Sequence, residues 1–139
     1  MRRNDFYLEA SARTQELLNI KWTLRSAGFR IGSTWHEVQT SRSPLASKDH
    51  WNARSIEQLQ TCDSLVVICR KDDKATPELA MMAGLALARG LQVIWIGPPV
   101  GGLSAFRAVC PFNTAEDYRK QILQQMYSQP ALSAERLAA

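Results

Sequence analysis

The side chains best suited to chemistry in this sequence stand just beyond its apolar runs. Glu78 follows Thr76 and Pro77 and opens the run Leu79-Ala80-Met81-Met82-Ala83-Gly84-Leu85-Ala86. The dipole and free amides of a first helical turn favour a carboxylate, so Glu78 reads either as a stabilising helix-start acid or as a nucleophile. As a nucleophile it suits glycosyl transfer, in which a carboxylate attacks an anomeric carbon and stabilises an oxocarbenium-like transition state, usually beside a second acid. Ser11 and Arg13 follow the apolar segment Phe6-Tyr7-Leu8. They serve as a helix cap and a solvated charge, or they offer a hydroxyl, a guanidinium and free amides to a phosphate. Tyr7 is a core aromatic whose hydroxyl can reach the rim. Trp35 and His36 lie in a polar stretch over 34–47, where they can stack on a base or pack beneath the loop. A loop of that length is usually functional or mobile, and the functional use is preferred here. Asp63 reads as a structural turn residue.

Several classes of function drop out. The 139 residues carry 17 Lys and Arg against 13 Asp and Glu, and this net +4 is spread along the chain instead of forming a basic block. No nucleic acid polymer is required as a partner, although an anionic small ligand suits the excess. Cys62, Cys69 and Cys110 lie in apolar or near-apolar runs without CxxC spacing, and His36 and His50 are the only histidines. Free buried thiols and no metal site are therefore expected. No cofactor is expected either. The stretch 79–100 is broken by Arg89, Gly90, Gln92 and Gly97-Pro98-Pro99, below the roughly 18 apolar residues of a membrane span. A cytoplasmic protein without membrane association is the expectation.

The elements that must position these residues follow from periodicity. A strand at 6–8 leads through a turn into a helix carrying Leu17, Leu18 and Leu24, which Ala27-Gly28 closes. A second strand is expected at 29–33, and then a helix from Asp49 to about Thr61 with Trp51, Ile56 and Leu59 on its buried side. Ser64-Leu65-Val66-Val67-Ile68-Cys69 has the continuous apolar, branched character of a parallel strand covered on both faces. A helix over 77–89, with the Thr76 hydroxyl as cap, is followed by a strand at 93–96, a short strand near 106–109 and a helix over 114–127 with Tyr118, Ile122 and Met126 on one face. Alternating strands and helices predict one α/β domain over 1–128, flavodoxin/Rossmann-like, with a frayed tail over 129–139. Its five parallel strands are expected in the order 2-1-3-4-5, with helices on both faces. In such a sheet ligands bind at the carboxyl ends of the strands near the reversal of order, which gathers residues 7–13, the loop after the second strand and the turn before Glu78.

These segments together resemble the nucleoside 2-deoxyribosyltransferase-like family, most closely its 2'-deoxynucleoside 5'-phosphate N-hydrolase branch. The resemblance spans about residues 5–127. It rests on Tyr7-Leu8-Glu9-Ala10-Ser11-Ala12-Arg13, Gln60-Thr61-Cys62-Asp63-Ser64-Leu65-Val66-Val67, Glu78-Leu79-Ala80 and Leu103-Ser104-Ala105. It implies that Glu78 is the nucleophile, that Tyr7 orients it, and that Ser11 and Arg13 contact the sugar or its 5'-phosphate. Ser104 matches a serine that the N-hydrolases contribute from a neighbouring subunit, which implies a homodimer or larger assembly. The chain departs from the family at three places: Ser55 replaces the aspartate that supplies the second carboxylate, Asp72 replaces a serine, and Glu9 replaces an uncharged residue. A serine cannot shuttle a proton near neutral pH, so Asp49, Glu57 or Asp73 must substitute if the acid pair is kept. The implied activity is an N-glycosidase or deoxyribosyltransferase acting on nucleosides or their 5'-monophosphates. Two alternatives stand beside it: a Toll/interleukin-receptor-like NAD glycohydrolase, and a nucleotide-binding module that has lost catalysis.

Overall fold

A computed structural model describes residues 4–37 and 53–128. Four strands, β1 (Asn4–Ala10), β2 (Cys62–Ile68), β3 (Gln92–Ile96) and β4 (Val109–Phe112), form one sheet in the order β1-β2-β3-β4, and every pairing is parallel. Helices α1 (Gln15–Ser26) and α4 (Ala115–Ser128) cover one face, while α2 (Ala53–Gln60) and α3 (Thr76–Ala88) cover the other. Parallel strands need helical crossovers, and crossovers on both faces bury both sides of the central strands. Hence Leu65, Val66, Val67 and Ile68 are all buried, with alternate residues facing the two helical layers. Among the described residues no helix is long and apolar enough to cross a membrane.

Local chemistry explains the helix ends. Thr14 caps α1 by accepting the Leu17 amide hydrogen at 3.2 Å. At the other end Gly28 takes a φ of +91°, and the amides of Gly28 and Phe29 reach back to the carbonyls of Arg25 and Leu24. Gly90, with a φ of +77°, closes α3 in the same way, Leu91 reaching Ala86. A left-handed residue just past the last turn lets two amides satisfy carbonyls that the helix leaves open, and only glycine takes that conformation without strain. The expected capping role of Thr76 does not hold. Thr76 is the first residue of α3, its hydroxyl donates to the Asp73 carbonyl at 2.7 Å, and the cap position, Ala75, has no side-chain bond to the helix.

The expected five-stranded order 2-1-3-4-5 gives way to four strands, because the segment at 29–33 makes only a single bridge, Ile31 beside Phe6. Its pairing starts correctly: the Arg30 carbonyl accepts from the amides of Asp5 and Phe6, and the Gly32 amide donates to the Phe6 carbonyl at 2.8 Å. Side chains then replace the ladder. The Leu8 amide donates to Ser33 Oγ at 3.0 Å, and the Trp35 indole N–H donates to the Leu8 carbonyl at 2.8 Å. The outer edge of β1 is thus satisfied without a second strand, which also blunts an edge that could pair with another chain.

The strand expected at 106–109 instead begins at Val109, because the Val109 amide bonds back to the Phe106 carbonyl at 3.1 Å and makes the preceding residues a turn. Pro111 inside β4 is tolerated because β4 is an edge strand, where a missing N–H can face outward. Asp63, read from the sequence as a structural turn residue, is an exposed residue one position into β2. The expected Asp49 cap and most of the 34–47 loop lie outside the described residues, as does the 129–139 tail.

Candidate site at the carboxyl end of the first strand

Strand periodicity sends Tyr7 and Glu9 of β1 to the α2/α3 face, and Leu8 and Ala10 to the α1/α4 face. Both polar residues are fully buried, at 0% exposure. Ser55, in the first turn of α2 and also buried, meets the Tyr7 phenol. Burial pushes the phenol well above its ordinary pKa and the Glu9 charge pushes it further, while the nearby Ser55 hydroxyl opposes them; the Tyr7 hydroxyl is buried without a hydrogen-bond partner among the described residues. Tyr7 is therefore a neutral hydroxyl across the physiological range. Glu9 accepts the Ala10 amide hydrogen on Oε1 at 3.1 Å, so its own strand anchors one oxygen.

The turns around this strand end are tied to one another. Ser11 Oγ donates to Asp73 Oδ1 at 2.7 Å, linking the β1–α1 turn to the β2–α3 turn. The Asp73 side chain, only 3% exposed, also accepts the Arg70 amide hydrogen at 2.7 Å and pairs with the Arg70 guanidinium at 3.2 Å. Arg13 Nε donates to the His36 carbonyl at 2.7 Å. His36 is fully buried, with Nε2 at 2.8 Å from Ser33 Oγ. Ser33 Oγ also accepts the Leu8 amide hydrogen, so one hydroxyl joins the strand edge to the buried imidazole.

Glu78 sits in the first turn of α3, half-buried, and its Oε2 is buried without a hydrogen-bond partner among the described residues. Ser104 lies in a short 3₁₀ turn, Leu103–Ala105, and is exposed on the β3–β4 connection.

The expected site residues thus separate into groups. Tyr7 and Ser55 come together, with Glu9 as the additional partner. Ser11 and Arg13 occupy the anticipated turn, yet each spends a donor on the protein itself, Ser11 on a carboxylate. Trp35 and His36 close the β1 edge, Trp35 on the Leu8 carbonyl and His36 beside Ser33. Of the acids that could replace the missing aspartate, Glu57 is exposed, Asp73 is committed to Arg70 and Ser11, and Asp49 lies outside the described residues.

Sequence reasoning treated Glu9 only as a departure from the family. The signal that finds it is local: an acid two positions after Tyr7 in a strand must share its face. A hollow of about 460 Å³ lies at the carboxyl ends of β2 and β3 between Cys69, Lys71, Gly97 and Thr114. No group of three His, Cys, Asp or Glu side chains suited to a metal ion occurs among the described residues. Comparison of the chain with family models, with curated proteins and with solved structures finds no match to any of them.

Proposed function

We propose that the protein is an N-glycosidase or deoxyribosyltransferase acting on nucleosides or their 5'-monophosphates, with Glu78 as the nucleophile. The observation that carries this reading is the buried Glu78 Oε2 without a hydrogen-bond donor, on the first turn of α3. A purely structural helix-start acid gains by bonding first-turn amides or by staying in water. A carboxylate oxygen withheld from both retains its electron pair for attack on an anomeric carbon. Tyr7, a neutral phenol in the middle of β1, supplies the hydroxyl that orients substrate or nucleophile. Ser11 and Arg13 line the turn where the sugar or its 5'-phosphate is held, and Ser104 completes the site of a neighbouring copy in a homo-oligomer.

The test incubates the protein with deoxynucleosides, their 5'-monophosphates and NAD, and follows released base or nicotinamide by chromatography. Base release from the nucleosides or monophosphates, abolished in Glu78→Gln with stability changed by less than about 1 kcal/mol, is the expected result. Release that survives in Glu78→Gln overturns the mechanism. Nicotinamide release from NAD alone moves the assignment to an NAD glycohydrolase. Binding without release moves it to a nucleotide-binding module, a reading favoured by Ser55, which carries no transferable acid proton near neutral pH.

A further inference from the structure

On the sheet face opposite Tyr7, a cavity of about 340 Å³ opens between the sheet and the layer formed by α1 and α4. Phe6 of β1 and Phe112 of β4 line it from the two edge strands, Ile94 of β3 lies on its floor, and Leu24, Ile122 and Met126 contribute from the helices. Among the described residues no charged side chain lines it, and its polar groups are three glutamine amides, the Cys110 thiol and the Tyr118 phenol. Close packing leaves few voids larger than a water molecule, and an apolar cavity of about 150 Å³ is enough to hold one benzene ring. This cavity therefore has room for a molecule of about two fused rings.

Tyr118 sets the chemistry of the lining. It is 6% exposed, on the same face of α4 as Ile122, and its ring packs against Phe112 with centroids 5.0 Å apart. Burial pushes the phenol well above its ordinary pKa and the neighbouring Cys110 adds to that, so the hydroxyl stays neutral. It makes no hydrogen bond among the described residues. An unpartnered buried hydroxyl is destabilising, and phenylalanine would pack the same ring without it. Apolar pockets with a few polar groups of this kind are what small-molecule sites are made of. We propose that the cavity binds a small, uncharged, mainly aromatic molecule carrying one carbonyl or hydroxyl oxygen, which accepts a hydrogen bond from Tyr118. A charged ligand is disfavoured, because no side chain of opposite sign lines the cavity to compensate its desolvation. The site shares no residue with the one around Tyr7 and Glu78 and stands independently of the glycosidase reading.

The experiment follows backbone amide signals by NMR while 2-acetonaphthone, two fused rings with one carbonyl, is titrated into the natural protein, Tyr118→Phe and Ala27→Phe. The anion 2-naphthoate, of similar size, is titrated in parallel. Saturable binding of the ketone is expected, with the largest shifts at Ile94, Tyr118 and Ile122. Tyr118→Phe keeps the ring and should bind about three- to tenfold more weakly, the effect of one neutral hydrogen bond. Ala27 lines the cavity just past the end of α1, so Ala27→Phe fills it and should lose binding. The anion should bind at least about tenfold more weakly than the ketone. The position of the shifts in the natural protein and the ketone-to-anion ratio need no variant to fold. No saturable binding, shifts centred outside the cavity, or an anion bound as tightly as the ketone overturns the proposal. So does a folded Tyr118→Phe or Ala27→Phe that binds the ketone as tightly as the natural protein. None of these outcomes touches base release by Glu78, which is read by chromatography.

Discussion

The carboxyl halves of β1, at the edge of the parallel sheet, and of β3, inside it, are built on opposite terms. In β3, Val93, Ile94, Trp95 and Ile96 are buried and apolar, and the one polar atom among their side chains, the Trp95 indole nitrogen, donates to the Pro98 carbonyl at 2.8 Å. Around β1 the buried set includes Tyr7, Glu9, Ser33, His36 and Ser55, and the strand's outer edge is satisfied by side chains instead of by a neighbouring strand. Apolar burial stabilises at roughly 25 cal/mol per Å², whereas a buried polar group adds only about 0.5–1.5 kcal/mol net when bonded and costs stability when it is not. Apolar stabilisation is therefore concentrated at β3 and buried polar groups at β1.

The comparison breaks most visibly at Trp95. Trp95→Ala removes a large side chain from the α2/α3 core and strands the Pro98 carbonyl, so a loss of about 3–5 kcal/mol is expected in urea unfolding. A loss below about 1 kcal/mol would show that the apolar half does not carry the stability assigned to it.

Ser33→Ala tests the polar half. It takes the acceptor from the Leu8 amide and the partner from His36 Nε2, and the expected cost is about 1–3 kcal/mol by the same measurement. If a neutral result were obtained, the side-chain closure of the β1 edge would not be what replaces the fifth strand.

Alkaline pH gives a smaller effect of defined sign. Burial pushes the Cys62 thiol from 9.0 up to about 11, so the folded state holds its proton where the unfolded chain releases it. That contribution is complete below about pH 9 and is lost as pH rises toward 11. Thermal unfolding of Cys62→Ala, followed between these values, should fall less steeply with pH than that of the natural protein. Equal slopes would remove Cys62 from the account.

The smallest expected change in stability belongs to Tyr7→Phe, which deletes a buried hydroxyl and leaves the ring in place. Midpoint shifts equivalent to less than about 1 kcal/mol are expected, together with a clear loss of base release. Unchanged release would place Tyr7 in the core alone and leave Glu78 as the candidate group.

Much of the scaffold was legible in the sequence because its determinants are local. The branched run of β2, the glycine closures of α1 and α3 and the helical period of α4 with Tyr118 and Ile122 buried each depend on residues a few positions apart. The 29–33 segment misled for the same reason. Its period-two pattern is that of a strand, but whether a strand forms is decided by its partner, and Ser33 and Trp35 take the Leu8 amide and carbonyl first.

The candidate site depended still more on distance along the chain. Ser11 meets Asp73 across 62 residues, and Ser55 comes near Tyr7 from α2. The sequence by itself determined the helices, three of the four strands in outline, and the candidacy of Tyr7, Ser11 and Glu78, since residue type and spacing encode local hydrogen bonding and burial. Only the tertiary structure decided that Ser11 spends its hydroxyl on a carboxylate, that His36 is buried in the β1 edge and that Glu9 shares a dry environment with Tyr7. Those are long-range pairings, and burial is a property of everything packed around a residue, which no local pattern contains.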